Sequence, residues 1–215
     1  MNAFPIPEGL AMRKKPQQAR TKQLVDKILL ASAELLEQEG LAALNTNSIA
    51  ERAQIDIASL YRFFRNKEAI LFALSMAHYE TLHLSLDQAT DKVRYTPLID
   101  VYFELLDSMP KMPYYKLAYT SLEELFISDP NFQPLFRWSF EVASKRVFSW
   151  LRMSGCSWDD KSVDEFAQFV VESTYSYNRS MLRLNESERE SFDKWMRFST
   201  ASVFNQVLTS DSSPL

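Results

Sequence analysis

Lys67 stands between Asn66 and Glu68 at the point where the chain is expected to open a helix. An ammonium beside the free backbone N–H groups of a helix start would make an anion site, and a DNA duplex presents phosphate as that anion. Shortly before it come Ile57, Ala58, Ser59, Tyr61 and Arg62. These fall on the outer face of a short helix, near its start, where a helix that enters a DNA groove carries its base-reading side chains. Arg62 suits either a phosphate clamp or a bidentate contact to guanine. Tyr61 suits the same face, or a core aromatic with its hydroxyl at the rim. Such polar residues also fit a solvated surface between two core helices. DNA is favoured because apolar seam, cap, aromatic and lysine fall in register within one segment.

The elements that must position these residues can be read from the same segment. Ile49, Ala50 and Ala53 repeat at helical spacing, Ile55 marks a turn, and Leu60, Phe63 and Phe64 resume the stripe. Two short helices can therefore share one apolar seam, with Ala50 and Ala53 small where they cross. Asp56 is the expected N-cap of the second helix, because its carboxylate can accept orphan N–H bonds of the first turn. Asn66 is the expected cap of a third helix opened by Lys67 and Glu68.

The segment resembles the DNA-binding part of the TetR family of bacterial one-component regulators, from about Arg20 to about Leu74. The family's first helix and its glycine stop look like Ile28, Leu29, Ala31, Leu35, Leu36 and Gly40; its second helix looks like residues 46–53, and its recognition segment like residues 59–68. The resemblance implies that Thr46, Tyr61 and Lys67 hold phosphates, while Asn47, Ile57, Ala58, Ser59 and Arg62 lie toward the major groove. These are positioning and reading contacts respectively.

Two positions depart from the family pattern. Gln54 stands where the family usually has a turn glycine, and a non-glycine residue in a left-handed conformation costs about 1–2 kcal/mol. Asp56 stands where serine or threonine is frequent. It caps well but places negative charge close to DNA, so it is expected to weaken non-specific binding and to accept a bond from cytosine.

The 215 residues, 46% hydrophobic and 13% aromatic, suffice for a real core in one large or two small domains. Three glycines and dominant helical periodicity favour an all-α fold. The net charge of −4 is unevenly placed: residues 1–68 carry +2 and residues 69–215 carry −6. Local placement therefore matters more than the total. Arg13, Lys14, Lys15, Arg20 and Lys22 gather just before the first helix, so residues 1–19 are expected to be a flexible basic arm that lies along phosphates or enters a minor groove, with Arg20 among the DNA contacts. Residues 1–11 lack the charged start and apolar run of a signal peptide, and no stretch approaches the length needed to span a bilayer. A cytoplasmic location is expected. The single cysteine, Cys156, excludes an internal disulfide framework and is expected to be structural.

Residues 20–66 are the expected DNA-binding domain, and residues 67–215 the effector-binding and dimerisation domain. From Lys67 the apolar pattern runs through Ile70, Leu71, Leu74 and Tyr79 toward Leu86, a helix long enough to link the head to the C-terminal domain. Prolines then punctuate the chain, and helices are expected near residues 98–108, 114–128, 133–153, 160–184 and 186–208. Val163, Phe166, Ala167, Val170, Thr174, Tyr177 and Met181 form one apolar stripe; Phe192, Trp195, Met196, Ser199, Ser202, Val203 and Gln206 form another. Both could serve the intrachain core. The resemblance implies instead a four-helix homodimer interface, which suits a near-palindromic operator.

The middle helices are rich in aromatic residues. The resemblance implies an effector pocket in this domain, and an aromatic lining with few polar groups suits a small apolar or aromatic molecule. Tyr119, Glu123, Trp138, Phe140, Tyr175 and Asn178 are the candidate lining. Glu123 or Glu141 turned inward would favour a cationic ligand; turned outward, they are solvated.

The leading expectation is a homodimeric repressor released from its operator when an effector binds. An effector-independent architectural or activating DNA-binding protein is the alternative. A helical enzyme or metal carrier is disfavoured, because His78 and His83 are five apart and do not share a helix face as a metal pair needs, and no Gly-rich phosphate loop is present. No cofactor is expected.

Overall fold

The computed structural model describes residues 4–213. The first three residues of the expected arm and the last two of the expected C-terminal domain lie outside the described residues. The fold is all-α, with ten α-helices among the described residues: α1 (Ala19–Glu39), α2 (Thr46–Arg52), α3 (Ile57–Tyr61), α4 (Lys67–Lys92), α5 (Leu98–Ser108), α6 (Tyr115–Ala118), α7 (Ser121–Ser128), α8 (Gln133–Met153), α9 (Asp160–Met181) and α10 (Glu186–Thr209). They fall into two compact units. One comprises the chain as far as Glu80 together with Pro113–Phe136, and the other comprises Thr81–Met112 together with the chain from Arg137 onward.

In the first unit α1 buries Val25, Ile28, Leu29, Ser32, Leu35 and Leu36, a stripe at spacings of three and four that fits one helix face. The helix stops at Gly40, whose φ of 77° suits a residue without Cβ and whose N–H donates to the Leu36 carbonyl. Ile49, Leu60, Phe63 and Phe64 form the seam beneath α2 and α3, all at most 1% exposed. Ala50 and Ala53 are buried with them, as the small residues at a helix crossing must be. The aromatic rings of α4, α7 and the start of α8 complete this core, with Phe72 against Phe132 at 5.8 Å and Phe126 stacked on Phe136 at 5.5 Å.

The expected single helix over residues 114–128 is two helices. Tyr114 adopts φ 59° after Pro113, and the backbone of Thr120 lies outside the helical region at φ −134°, ψ −100°. The Thr120 hydroxyl donates to the Lys116 carbonyl at 2.8 Å, a local bond that competes with helix propagation. Helices α5 and α8 keep the expected limits, and α9 ends at Met181, short of residue 184.

The second unit is closed by polar bonds as well as apolar packing. Trp150 is buried, and its indole N–H donates to Thr90 Oγ1 at 2.8 Å. The hydroxyls of Tyr102 on α5 and Thr174 on α9 are 2.8 Å apart. Tyr177 donates to Asp193 at 2.6 Å, which ties α9 to α10, and Arg197 pairs with both Asp193 and Asp107. Cys156 is buried.

Candidate nucleic-acid interface

Asn45 opens α2 with a reciprocal cap: its side chain accepts from the Asn47 and Ser48 N–H groups, and Ser48 Oγ is within reach of its backbone N–H. The chain leaves α2 through Gln54, which takes φ 54°, the left-handed turn that the missing glycine implied. The N–H of Gln54 reaches the Glu51 carbonyl and that of Ile55 the Ala50 carbonyl, so the turn is bonded on both sides. Asp56 caps α3: Oδ1 accepts the Ser59 N–H at 3.0 Å and Oδ2 accepts the Ser59 hydroxyl at 2.9 Å. These bonds stabilise the carboxylate, so Asp56 titrates below the usual carboxylate range. They also commit the Ser59 hydroxyl proton to Asp56.

On this frame Ala58, Tyr61 and Arg62 are exposed, and Ile57 and Ser59 half-buried. Tyr61 is 40% exposed, which removes the core-aromatic reading. Its hydroxyl lies 3.0 Å from Thr46 Oγ1, so two of the three expected phosphate holders touch. Asn47 is exposed one residue further along α2. Arg62 is exposed, with its guanidinium 5.7 Å from the ring centre of Phe63. Arg20 is exposed in the first turn of α1.

Lys67 departs from the expected detail. Asn66 does cap α4, accepting the Ala69 N–H at 2.9 Å, but the Lys67 ammonium donates to the Leu44 carbonyl at 3.2 Å. The reason is electrostatic, since a helix start is the positive end of the macrodipole and a cation is drawn to a carbonyl instead. Leu44 lies two residues before Thr46. The Lys67 ammonium is thus held just before α2, at whose first residue Thr46 and Tyr61 touch, although the spacing of Lys67 suggested the beginning of α4.

Sequence reasoning missed one contact set at this surface. Arg13 donates its backbone N–H to the Phe63 carbonyl at 2.8 Å and its guanidinium to the Tyr61 carbonyl at 3.3 Å. The apolar Phe4 and Leu10, unusual in a basic arm, were the available signal, and both are buried.

The six candidate effector residues do not fall in one unit. Tyr119 and Glu123 belong to the first, and Trp138, Phe140, Tyr175 and Asn178 to the second. Tyr119 and Glu123 are both buried, whereas Glu141 is exposed. Trp138 lies edge-on to His83 with ring centres 4.7 Å apart, and Phe140 likewise to Tyr175 at 6.1 Å. Asn178 is 1% exposed and donates to the Thr174 carbonyl at 2.8 Å. Within the second unit a hollow of about 620 Å³ lies elsewhere, bounded by residues 93–99, Ser154 and the α10 residues Ala201, Phe204, Asn205 and Leu208.

The two apolar stripes also part company. Val163, Ala167, Val170 and Tyr177 of α9 are buried in the second unit's own core, because α5 and α10 pack over that face. On α10, Trp195 is 68% exposed, and Ser199, Ser202, Val203 and Gln206 are exposed as well. Phe198, outside the expected stripe, is 66% exposed, and Phe169 of α9 is 58% exposed.

His78 is buried, and its Nδ1 donates to the Pro113 carbonyl at 3.1 Å; burial holds its pKa below the ordinary histidine value. Glu80 and His83 have the Glu-x-x-His spacing. Glu80 is nevertheless exposed, and His83 is buried with Nε2 3.2 Å from Ser139 Oγ. Among the described residues no group of three or more His, Cys, Asp or Glu side chains is placed to hold a metal ion, and no helix is long and apolar enough to cross a membrane.

Residues 28–74 match the family model described as bacterial regulatory proteins, tetR family. No curated protein matches the chain significantly. Among solved structures, the chain is similar in fold to the SmeT–triclosan complex, at 15% identity over 90% of this chain and 99% of that one, with a TM-score of 0.62. It is also similar to a TetR-family transcriptional regulator from Streptomyces coelicolor, at 20% identity, 86% and 99% coverage and TM-score 0.56. A third is the fatty acid degradation regulator FadR from Bacillus halodurans, at 13% identity, 91% and 98% coverage and TM-score 0.57.

Proposed function

We propose that the chain, whose residues 28–74 match the tetR family model, is a DNA-binding transcriptional regulator that works as a homodimeric repressor in the cytoplasm. It grips a near-palindromic operator and leaves it when a small apolar or aromatic effector binds. In this reading residues 20–66 hold the DNA, and residues 67–215 provide effector binding and dimerisation.

The observation that carries it is the Asp56-capped α3, which presents Ala58, Tyr61 and Arg62 outward above a fully buried seam. Thr46, Tyr61 and Lys67 at the start of α2 hold phosphates and fix the register; Asn47, Ile57, Ala58, Ser59 and Arg62 read the groove, and Arg20 adds a backbone contact. The exposed aromatic residues of α10 supply an apolar face for a second copy, and a two-fold pair presents two α3 helices to two half-sites. Triclosan and resorcinol appear as ligands in complexes of two proteins of similar fold, which favours an aromatic effector here.

Selection of bound duplexes from a random DNA pool tests the reading, repeated with Tyr61→Phe and Lys67→Ala. Both variants are expected to lose affinity while keeping the preferred sequence. Full affinity at low salt in both would remove them as phosphate holders. Aromatic compounds that raise the melting temperature and release the selected duplex support an effector. A closed core that binds none of them favours the effector-independent alternative.

A further inference from the structure

Among the described residues before α1, two large apolar side chains are buried in the first unit. Phe4 is buried with its ring centre 6.0 Å from that of Phe72. Leu10 is buried, and its N–H closes a turn onto the Pro7 carbonyl at 3.1 Å. Three residues later the chain reaches the end of α3, where Arg13 satisfies the Phe63 carbonyl with its backbone and the Tyr61 carbonyl with its guanidinium. Carbonyls at a helix end lack intrahelical partners, so these two bonds fasten the end of α3. Tyr61 is consequently held from two sides, by Thr46 at its hydroxyl and by Arg13 at its carbonyl. Lys14 and Lys15 come directly after Arg13 and are exposed.

We propose that residues 4–13 are a fixed clamp on the recognition helix, which holds Lys14 and Lys15 where the phosphates beside the base-reading face run. Arg13 is a positioning residue; the two lysines are the contacts. A segment already anchored pays no ordering cost when DNA binds, unlike a free basic tail. The inference rests on the DNA-binding reading above.

The test uses a duplex that the unaltered chain selects from a random pool, with affinity measured across a range of salt. Lys14→Gln with Lys15→Gln is expected to weaken binding and to flatten the dependence of log K on log salt by about 2, one phosphate per lysine. Phe4→Ala with Leu10→Ala keeps every charge, so its salt dependence should stay the same while affinity falls about five- to tenfold. Brief trypsin treatment without DNA gives an independent readout: cleavage after Arg13, Lys14 or Lys15 should be slow in the unaltered chain and fast in the anchor variant. Arg13→Gln, which spares the apolar anchors, should fall between the two and covers the case in which the anchor variant does not fold. Unchanged affinity in the anchor and Arg13 variants, or equally fast cleavage in the unaltered chain, overturns the clamp. If the unaltered chain selects no duplex, the DNA-binding reading falls with it, while the trypsin comparison still judges the anchoring.

Discussion

The hydroxyls of Tyr61 and Thr46 lie 3.0 Å apart, joining the last residue of α3 to the first residue of α2. In this pair one hydroxyl donates, and the other keeps its own proton, available for the phosphate contact proposed above. Tyr61→Phe and Thr46→Val should each weaken DNA binding by about 1 kcal/mol, the net value of an ordinary hydrogen bond. Measured together in a double-mutant cycle on the selected duplex, the two losses should be less than additive, because either change breaks the shared bond. Full additivity would show that the hydroxyls act separately.

Gln54 occupies a left-handed turn that a side chain disfavours. Gln54→Gly should stabilise the protein by about 0.5–1 kcal/mol, the relieved strain less the extra freedom glycine gives the unfolded chain. For a chain of this size that is a rise of about 1–4 °C in a calorimetric melt. A lower melting temperature would mean that the Gln54 side chain has a compensating role.

Asp56 is held charged by two bonds from Ser59. Its folded pKa is depressed, so its contribution is present above the unfolded value of about 3.9 and is lost as pH falls through the folded pKa. Asp56→Ser should keep the cap, shed that acid sensitivity and strengthen binding to random-sequence DNA. Asp56→Ala should loosen α3 and weaken binding to the selected duplex. Filter-binding titrations of both variants against both DNAs check this.

His78 also costs stability on acidification, but in a higher pH window and because its neutral form is the one favoured in the fold. Burial depresses its pKa, so below the unfolded value of about 6.5 the unfolded chain takes up a proton that the folded chain does not. Stability should therefore fall as pH drops from about 6.5 toward the folded pKa. Urea denaturation at pH 7.5 and pH 5 should show a larger loss for the unaltered chain than for His78→Gln. Equal losses would remove His78 as the source.

The exposed aromatic residues of α10 give a prediction about assembly. Trp195→Glu with Phe198→Glu places two charges on the proposed contact between copies and should shift sedimentation from dimer to monomer, with the helical content unchanged. A dimer that survives both substitutions would place the interface elsewhere.

The head was legible in the sequence because its determinants are local. The apolar spacing of Ile49, Ala50, Ala53, Leu60, Phe63 and Phe64, the Asp56 and Asn66 caps and the odd turn residue Gln54 all act within a few positions of one another. The all-α class could be read in the same way from helical periodicity and the scarcity of glycine. Every relation between distant residues, by contrast, required the tertiary structure. The spacing of Lys67 gave no sign that its ammonium would cross to the Leu44 carbonyl, 23 positions earlier, or that Arg13 would fasten Tyr61 from 48 positions away. Nor does periodicity say what covers an apolar stripe: the α9 stripe turned to its own core and the α10 stripe to solvent, since a helix face records only that it is apolar. Sequence alone determined the helix-turn-helix and most helix limits, because hydrogen bonds and caps are short-range, although it did not show the break at Thr120 or the end of α9 at Met181. The tertiary structure alone decided which side chains meet, because that depends on how whole helices pack.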